Sequence, residues 1–127
     1  MKLEPIQDYI AGSTDLTMGR DLFVYSMPAS AKSAVLIVTE NAGNQVDHEV
    51  KGVFKGRYQV IVRDSDMGRC TARAYELFDL LDMTEQNLGE YVVTYSRPRH
   101  TPNPIGGRSE GDLIEMSINF DMRYRTL

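Results

Sequence analysis

Few residues in this chain could carry chemistry, and most of them stand in short acidic or basic runs. Asp64 and Asp66 form a D-x-D that could hold a hard cation, since carboxylate oxygens are the ligands magnesium and calcium prefer. The same two residues, with Ser65 between them, precede an apolar stripe at helical spacing. All three are good helix N-caps, and two carboxylates there suit the positive end of the helix dipole. The cap accounts for both aspartates without a metal and is the favoured reading. His48 and His100 share no ligand spacing and read as exposed loop histidines rather than a metal pair. Cys70 lies on the stripe of the same helix, where it acts as a small hydrophobe and not as a nucleophile. Gly106-Gly107-Arg108 is too short for a phosphate cradle. No Walker loop, dinucleotide fingerprint, nucleophile elbow or paired-histidine helix is present. The expectation is a protein that is not an enzyme and uses neither metal nor cofactor.

Charge placement offers a different kind of site. Arg97, Arg99, His100 and Arg108 cluster around one Pro/Gly-rich loop, Pro98 to Gly111. They read either as solvated loop charge or as a docking surface for an acidic partner or for an acidic edge of the same protein. Glu85 and Glu90 are candidates for that acidic side. A second irregular stretch, Asn41 to Gly56, carries Asn41, Gly43, His48, Lys51 and Lys55. A connection that long is a mobile hairpin or a docking loop.

The elements that hold these loops follow from periodicity. From Ile114 to Tyr124 every even residue is apolar and every odd one polar: Ile114, Met116, Ile118, Phe120, Met122 and Tyr124 against Glu115, Ser117, Asn119, Asp121 and Arg123. Alternation of that length predicts a strand with one dry face and one wet face. The dry face needs cover. Met67, Cys70, Ala74, Leu77 and Leu81 recur at steps of three and four, with Phe78 widening the stripe, and predict a helix from about Ser65 to Leu81 that supplies it. Further strands are predicted at residues 21–27, 33–40, 57–63 and 91–97. The β-branched run of the second of these suggests burial on both faces. Leu3, Ile6 and Ile10, with Pro5 in the first turn and Gly12 as a stop, predict a short amphipathic helix. The order α-β-β-β-α-β-β gives a single α+β domain over residues 1–127. Its sheet is mixed but largely antiparallel, of about five strands, with the helices on one face.

Composition narrows the classes. A length of 127 residues is enough to bury a core without staples. The net charge of −4 argues against a dedicated binder of nucleic-acid backbone. Cys70 is the one cysteine, so no intrachain disulfide or cysteine zinc site can form. The start of the chain lacks an apolar core of signal-peptide length, and the longest aliphatic run, Ala34 to Val38, is too short to span a bilayer. A soluble, non-secreted chain is expected, with no membrane partner.

Three stretches, taken together, resemble the tail terminator and minor capsid proteins of long-tailed, non-contractile bacteriophages. They are VLIVTENAG (Val35 to Gly43), RYQVIVRDSDMGRCTARAYELFDLL (Arg57 to Leu81) and PIGGRSEGDLIEMSINFDMRYR (Pro104 to Arg125). The resemblance implies a structural virion protein of the head–tail junction, assembled in the host bacterial cytoplasm. It implies a homo-oligomeric ring, commonly a hexamer, that docks on the tail tube protein, stops tube polymerisation and offers a surface to a head–tail connector protein. DNA would pass through its channel without specific binding. Another ring component of that junction, a head-closure or connector protein, is the nearest alternative. An enzyme using Asp64, Asp66 and His48, and a monomeric module whose basic loop recognises an acidic ligand, represent other classes.

Overall fold

The dry face of the alternating segment organises the whole structure. The computed structural model describes residues 2–39, 43–105 and 112–126. Its elements run α1 (Glu4–Ser13), β1 (Leu22–Val24), β2 (Ala34–Thr39), β3 (Gln45–Val46), β4 (Val53–Asp64), α2 (Met67–Leu80), β5 (Met83–Leu88), β6 (Tyr91–Pro98), β7 (Asn103–Pro104) and β8 (Ile114–Thr126). Strand β8 lies antiparallel to β4 along nearly its full length, from Asp64 opposite Ile114 to Val53 opposite Arg125. Opposed residues share parity, so the even residues of both strands point to one side. Tyr58 stacks on Phe120 with ring centroids 4.8 Å apart, Val60 faces Ile118 and Val62 faces Met116. All six are buried.

The strand order is β1-β2-β4-β8-β6-β5, with β3 continuing the line of β2 along β4 and β7 pairing with β8. Among the described strands β1 and β2 pair in parallel, and the other strand pairings are antiparallel. The mixed, largely antiparallel sheet matches the expected class, but the described residues form eight strands, not about five. Two of the additional strands, β3 and β7, are two-residue pairings inside stretches that read as loops. The third, β5, is MTEQNL, whose polar middle gives no alternation because it lies on the sheet edge. The β2 expectation is also corrected. Val35 and Ile37 are buried while Leu36 and Val38 are half-exposed, because helices cover one face alone.

Both helices share that face. Helix α2 starts at Asp66, whose carboxylate accepts from the Arg69 amide at 2.8 Å. Cys70, Ala74 and Leu77 of α2, and Leu81 just beyond it, are fully buried in one core with the even residues of β4 and β8. Met67 is 48 % exposed, since it opens the first turn at the rim of the contact. Helix α1 inserts Ile6 and Ile10, with its N-cap residue Leu3, into the same core and touches both outer strands. Gln7 donates to the Leu22 carbonyl at 3.1 Å, while Pro5 lies against Gly89 of the β5–β6 turn. The helix therefore ties the two ends of the strand order together. Gly56 is required by a close approach: a Cβ there would meet the Asn44 side-chain oxygen at 2.5 Å. Asn44 reaches over that spot to donate to the Tyr124 hydroxyl at 2.6 Å.

Candidate functional site

Among the described residues, the sheet face without a helix on it is built from the odd residues of β4 and β8. Its rows pair Arg63 with Glu115, Ile61 with Ser117, Gln59 with Asn119, Arg57 with Asp121 and Lys55 with Arg123. Strand β6 adds Arg97 beside Asp121 and Tyr95 beside Arg123. The two ends of this face differ. At one end Arg63 and Glu115 pair at 3.1 Å, and the Arg63 guanidinium donates to the Ala31 carbonyl at 3.1 Å, pinning the loop before β2. At the other end cations collect around Asp121. Arg57 reaches it at 3.2 Å and Arg99 approaches the same oxygen at 3.8 Å. A cleft of about 560 Å³ opens there, bordered by Gly43, Lys55, Arg57, Tyr95, Arg97 and Asp121.

Arg97 turns its guanidinium to the start of β5, bonding Asp82 at 3.0 Å and the Thr84 hydroxyl at 2.7 Å. Arg123 pairs with Asp47 at 3.6 Å. The Asp47 carboxyl is held below its ordinary value, first by the amides of Val50 and Glu49 in its own turn, then by Arg123 and Lys55. His100 completes the sheet where β6 breaks at Pro98. The Arg99 amide donates to the Asn119 carbonyl at 2.7 Å, and the Asn119 amide donates to His100 Nε2 at 3.2 Å. The imidazole stands where a strand would offer a carbonyl.

The residues singled out from the sequence therefore separate. Arg97 borders the cleft with Lys55 and Gly43 but turns its guanidinium to Asp82, while Arg99 reaches Asp121. Glu85 lies in β5 within 3.5 Å of Arg125, and Glu90 in the β5–β6 turn within 3.7 Å of Lys2. His48 and Lys51 are exposed in the turn between β3 and β4. Asn41 and Arg108 lie outside the described residues, as does Gly106-Gly107. Sequence reading missed Arg57, Asp47 and the central Asp121. The wet positions of β8 signalled Asp121, but its neighbours depend on strand register.

The chemical candidates resolve into structural roles. Asp64 is buried at the β4–α2 junction and accepts from Ser33 Oγ, the Asp66 amide and the Arg69 guanidinium at 3.0, 3.0 and 2.9 Å. Burial pushes its carboxyl up, but those three donors outweigh burial and hold it below the ordinary value. Burial raises the Cys70 thiol to about 11, leaving almost no thiolate at neutral pH. Burial likewise raises the Tyr58 hydroxyl, which shares a 2.7 Å hydrogen bond with Ser96. Among the described residues no helix is long and apolar enough to cross a membrane.

What the fold and its site define is an α+β protein sealed by helices on one side, with a charge-patterned sheet open on the other. The bacteriophage tail terminator protein family matches residues 9–126, and the chain belongs to that family. Among solved structures, a chain of the "Virion of native gene transfer agent (GTA) particle" is similar, with a TM-score of 0.63 at 15 % identity. The match covers 92 % of this chain and 84 % of that one; at such identity it speaks for the fold. A second solved chain, at 15 % identity over 98 % of this chain and 89 % of that one, has a TM-score of 0.46 and carries no argument. No curated protein matches the sequence.

Proposed function

We propose that this protein is a structural, non-enzymatic component of the virion that forms a ring, commonly of six copies, on the finished tail tube. The ring stops tube polymerisation and presents a new surface to the head–tail connector. The observation that carries this reading is the family match across residues 9–126. Physical features support it. Identical tube subunits add for as long as each addition recreates the same binding face, so ending the tube requires a part with a different upper face. This chain has parts to spare for such contacts. The β3–β4 hairpin exposes Val46 at the end of β3 and Val50 in its turn at 57 % and 50 %, apolar side chains outside the core. The net charge of −4 suits a channel through which DNA slides without sticking. Assembly in the host cytoplasm and a lasting place at the head–tail junction follow from the same reading.

Phage carrying Val46→Ser with Val50→Ser should make abnormally long tubes beside filled, tailless heads, while the purified variant melts at the wild-type temperature. A clean deletion should give the same micrographs. Tails of normal length that stay unjoined to heads would assign the chain to the connector instead, and normal virions from the deletion would end both readings.

A further inference from the structure

Beyond Pro98 the chain leaves β6 but stays on β8, and residues Arg99 to Ile105 form a strap along the first half of that strand. Pro98 stands opposite Phe120 and Asn103 opposite Ser117, so five steps of the strap span three of β8 and two residues are left over. A bulge of this kind disrupts the ladder and leaves the partner strand short of a backbone partner. Here the group affected is the Asn119 amide, and the His100 side chain stands in for the missing carbonyl. Nε2 lies 3.2 Å from the Asn119 amide, and Nδ1 lies 2.7 Å from the Thr101 carbonyl. An amide N–H can only donate and a carbonyl can only accept, so these two partners fix a neutral ring with its proton on Nδ1. The remaining ties of the strap are few. The Arg99 amide donates to the Asn119 carbonyl and the Ile105 amide to the Glu115 carbonyl, β7 adds a two-residue pairing, and Pro102 is buried. Among the described residues no strand lies outside the strap, since β5 meets β6 no further along than Ser96.

We propose that His100 is a proton-operated latch: neutral, it holds the strap on β8, and protonated, it lets the strap open and bare the backbone edge of β8 from Glu115 to Asn119. Protonation puts an N–H on Nε2 facing the N–H of Asn119, so one hydrogen bond gives way to two donors aimed at each other. The closed strap excludes a proton that the open strap accepts, and by linkage the open form gains as the pH falls. Histidine is the side chain whose ordinary titration falls between about pH 5 and 8. Among the described residues, the charged groups on the neighbouring elements are Arg99 on the strap, Arg97 on β6, Glu115 and Asp121 on β8, and Arg57 and Arg63 on β4. Arg57 and Arg99 approach Asp121, Arg63 pairs with Glu115, and Arg97 turns to Asp82; carboxylates and guanidiniums ordinarily titrate outside that interval. Asn119 faces the neutral Gln59 across β4, so no carboxylate stands opposite to favour the charged ring. His48, the second histidine, lies in the β3–β4 turn at the far end of β4. The edge that opening exposes is a row of unpaired donors and acceptors, the kind of surface to which another strand adds. This inference does not depend on the ring reading.

Amide hydrogen exchange of the full chain, followed by NMR at pH 8 and pH 5, tests the latch. Rates are read as protection factors, so that the intrinsic pH dependence of exchange drops out. Protection of the Asn119 amide should fall by about tenfold or more at the lower pH, as expected of a donor that forfeits its acceptor. The Ile118 amide points the other way, to β4, because backbone groups alternate along a strand, and its protection should not change. In His100→Gln, whose side-chain oxygen accepts without titrating, Asn119 protection should be equal at the two pH values, and in His100→Ala low at both. The ring nitrogen shifts of the wild type at pH 8 need no variant: Nδ1 should carry the proton and Nε2 the lone pair. Full protection of Asn119 at pH 5, an equal fall at Ile118, a fall that persists in His100→Gln, or a proton on Nε2 at pH 8 would each overturn the proposal.

Discussion

Replacing Asp64 should cost stability in a way that depends on pH, and the sign follows from its surroundings. Its side chain is 7 % exposed and accepts from Ser33, the Asp66 amide and Arg69. Charge-assisted bonds of this kind contribute roughly 1.5–3 kcal/mol each when both partners are shielded. Here all three donor residues have solvent access and can rehydrate, and Arg69 is 65 % exposed, so the sum is discounted. Asp64→Ala should cost about 2–3 kcal/mol, and Asp64→Asn, which keeps one acceptor oxygen, about 1–2 kcal/mol. Because the folded carboxyl titrates below its ordinary 3.8, the unfolded chain takes up a proton first as the pH drops. The stabilisation is present well above 3.8 and drains away as the pH falls through the folded value. Urea unfolding followed by circular dichroism at pH 7, 5 and 3 measures it. The gap between wild type and Asp64→Asn should be the same at pH 7 and 5 and shrink at pH 3. A gap that stays constant across that range, or an Asp64→Ala cost under about 0.5 kcal/mol, would refute the assignment.

Leu77→Ala and Phe120→Ala each open a cavity in the fully buried core and should cost roughly 2–5 kcal/mol; unchanged melting curves would disprove the helix-on-sheet packing. His100→Ala leaves the Asn119 amide without its acceptor, which should cost about 1–3 kcal/mol and speed hydrogen exchange at that amide. His100→Gln should recover part of the protection, and wild-type exchange in His100→Ala would show that water or backbone does the job instead. Calorimetry with magnesium, manganese and zinc should show no stoichiometric site, and one lost in Asp66→Asn would overturn the capping role of that residue.

Local signals in the sequence reached as far as a single element and stopped where the fold depends on two. The alternation of Ile114 to Tyr124 and the stripe through Cys70, Ala74, Leu77 and Leu81 are each complete within one segment, so β8, α2 and their contact could be read directly. The strands β3 and β7 exist only because a long neighbour offers an unpaired backbone row. Two residues cannot show a period, and Pro104 argued against a strand until its place on the sheet edge was known. Strand β5 was hidden by the same edge position, which removes the need for apolar residues in its middle.

The wet face was harder still, since nothing local distinguishes a solvated arginine from one that shares a carboxylate with another, as Arg57 and Arg99 share Asp121. Arg57 and Asp121 are 64 positions apart, and they meet because the even residues of β4 and β8 must face the same core. Satisfying the dry side fixes the register, and the register then fixes the wet side without further choice. Moving either strand by one residue would expose Tyr58 or Phe120. The folding requirement therefore holds Lys55 opposite Arg123, and Asp47, which pairs with Arg123 and lies in the field of Lys55, offsets the like charges.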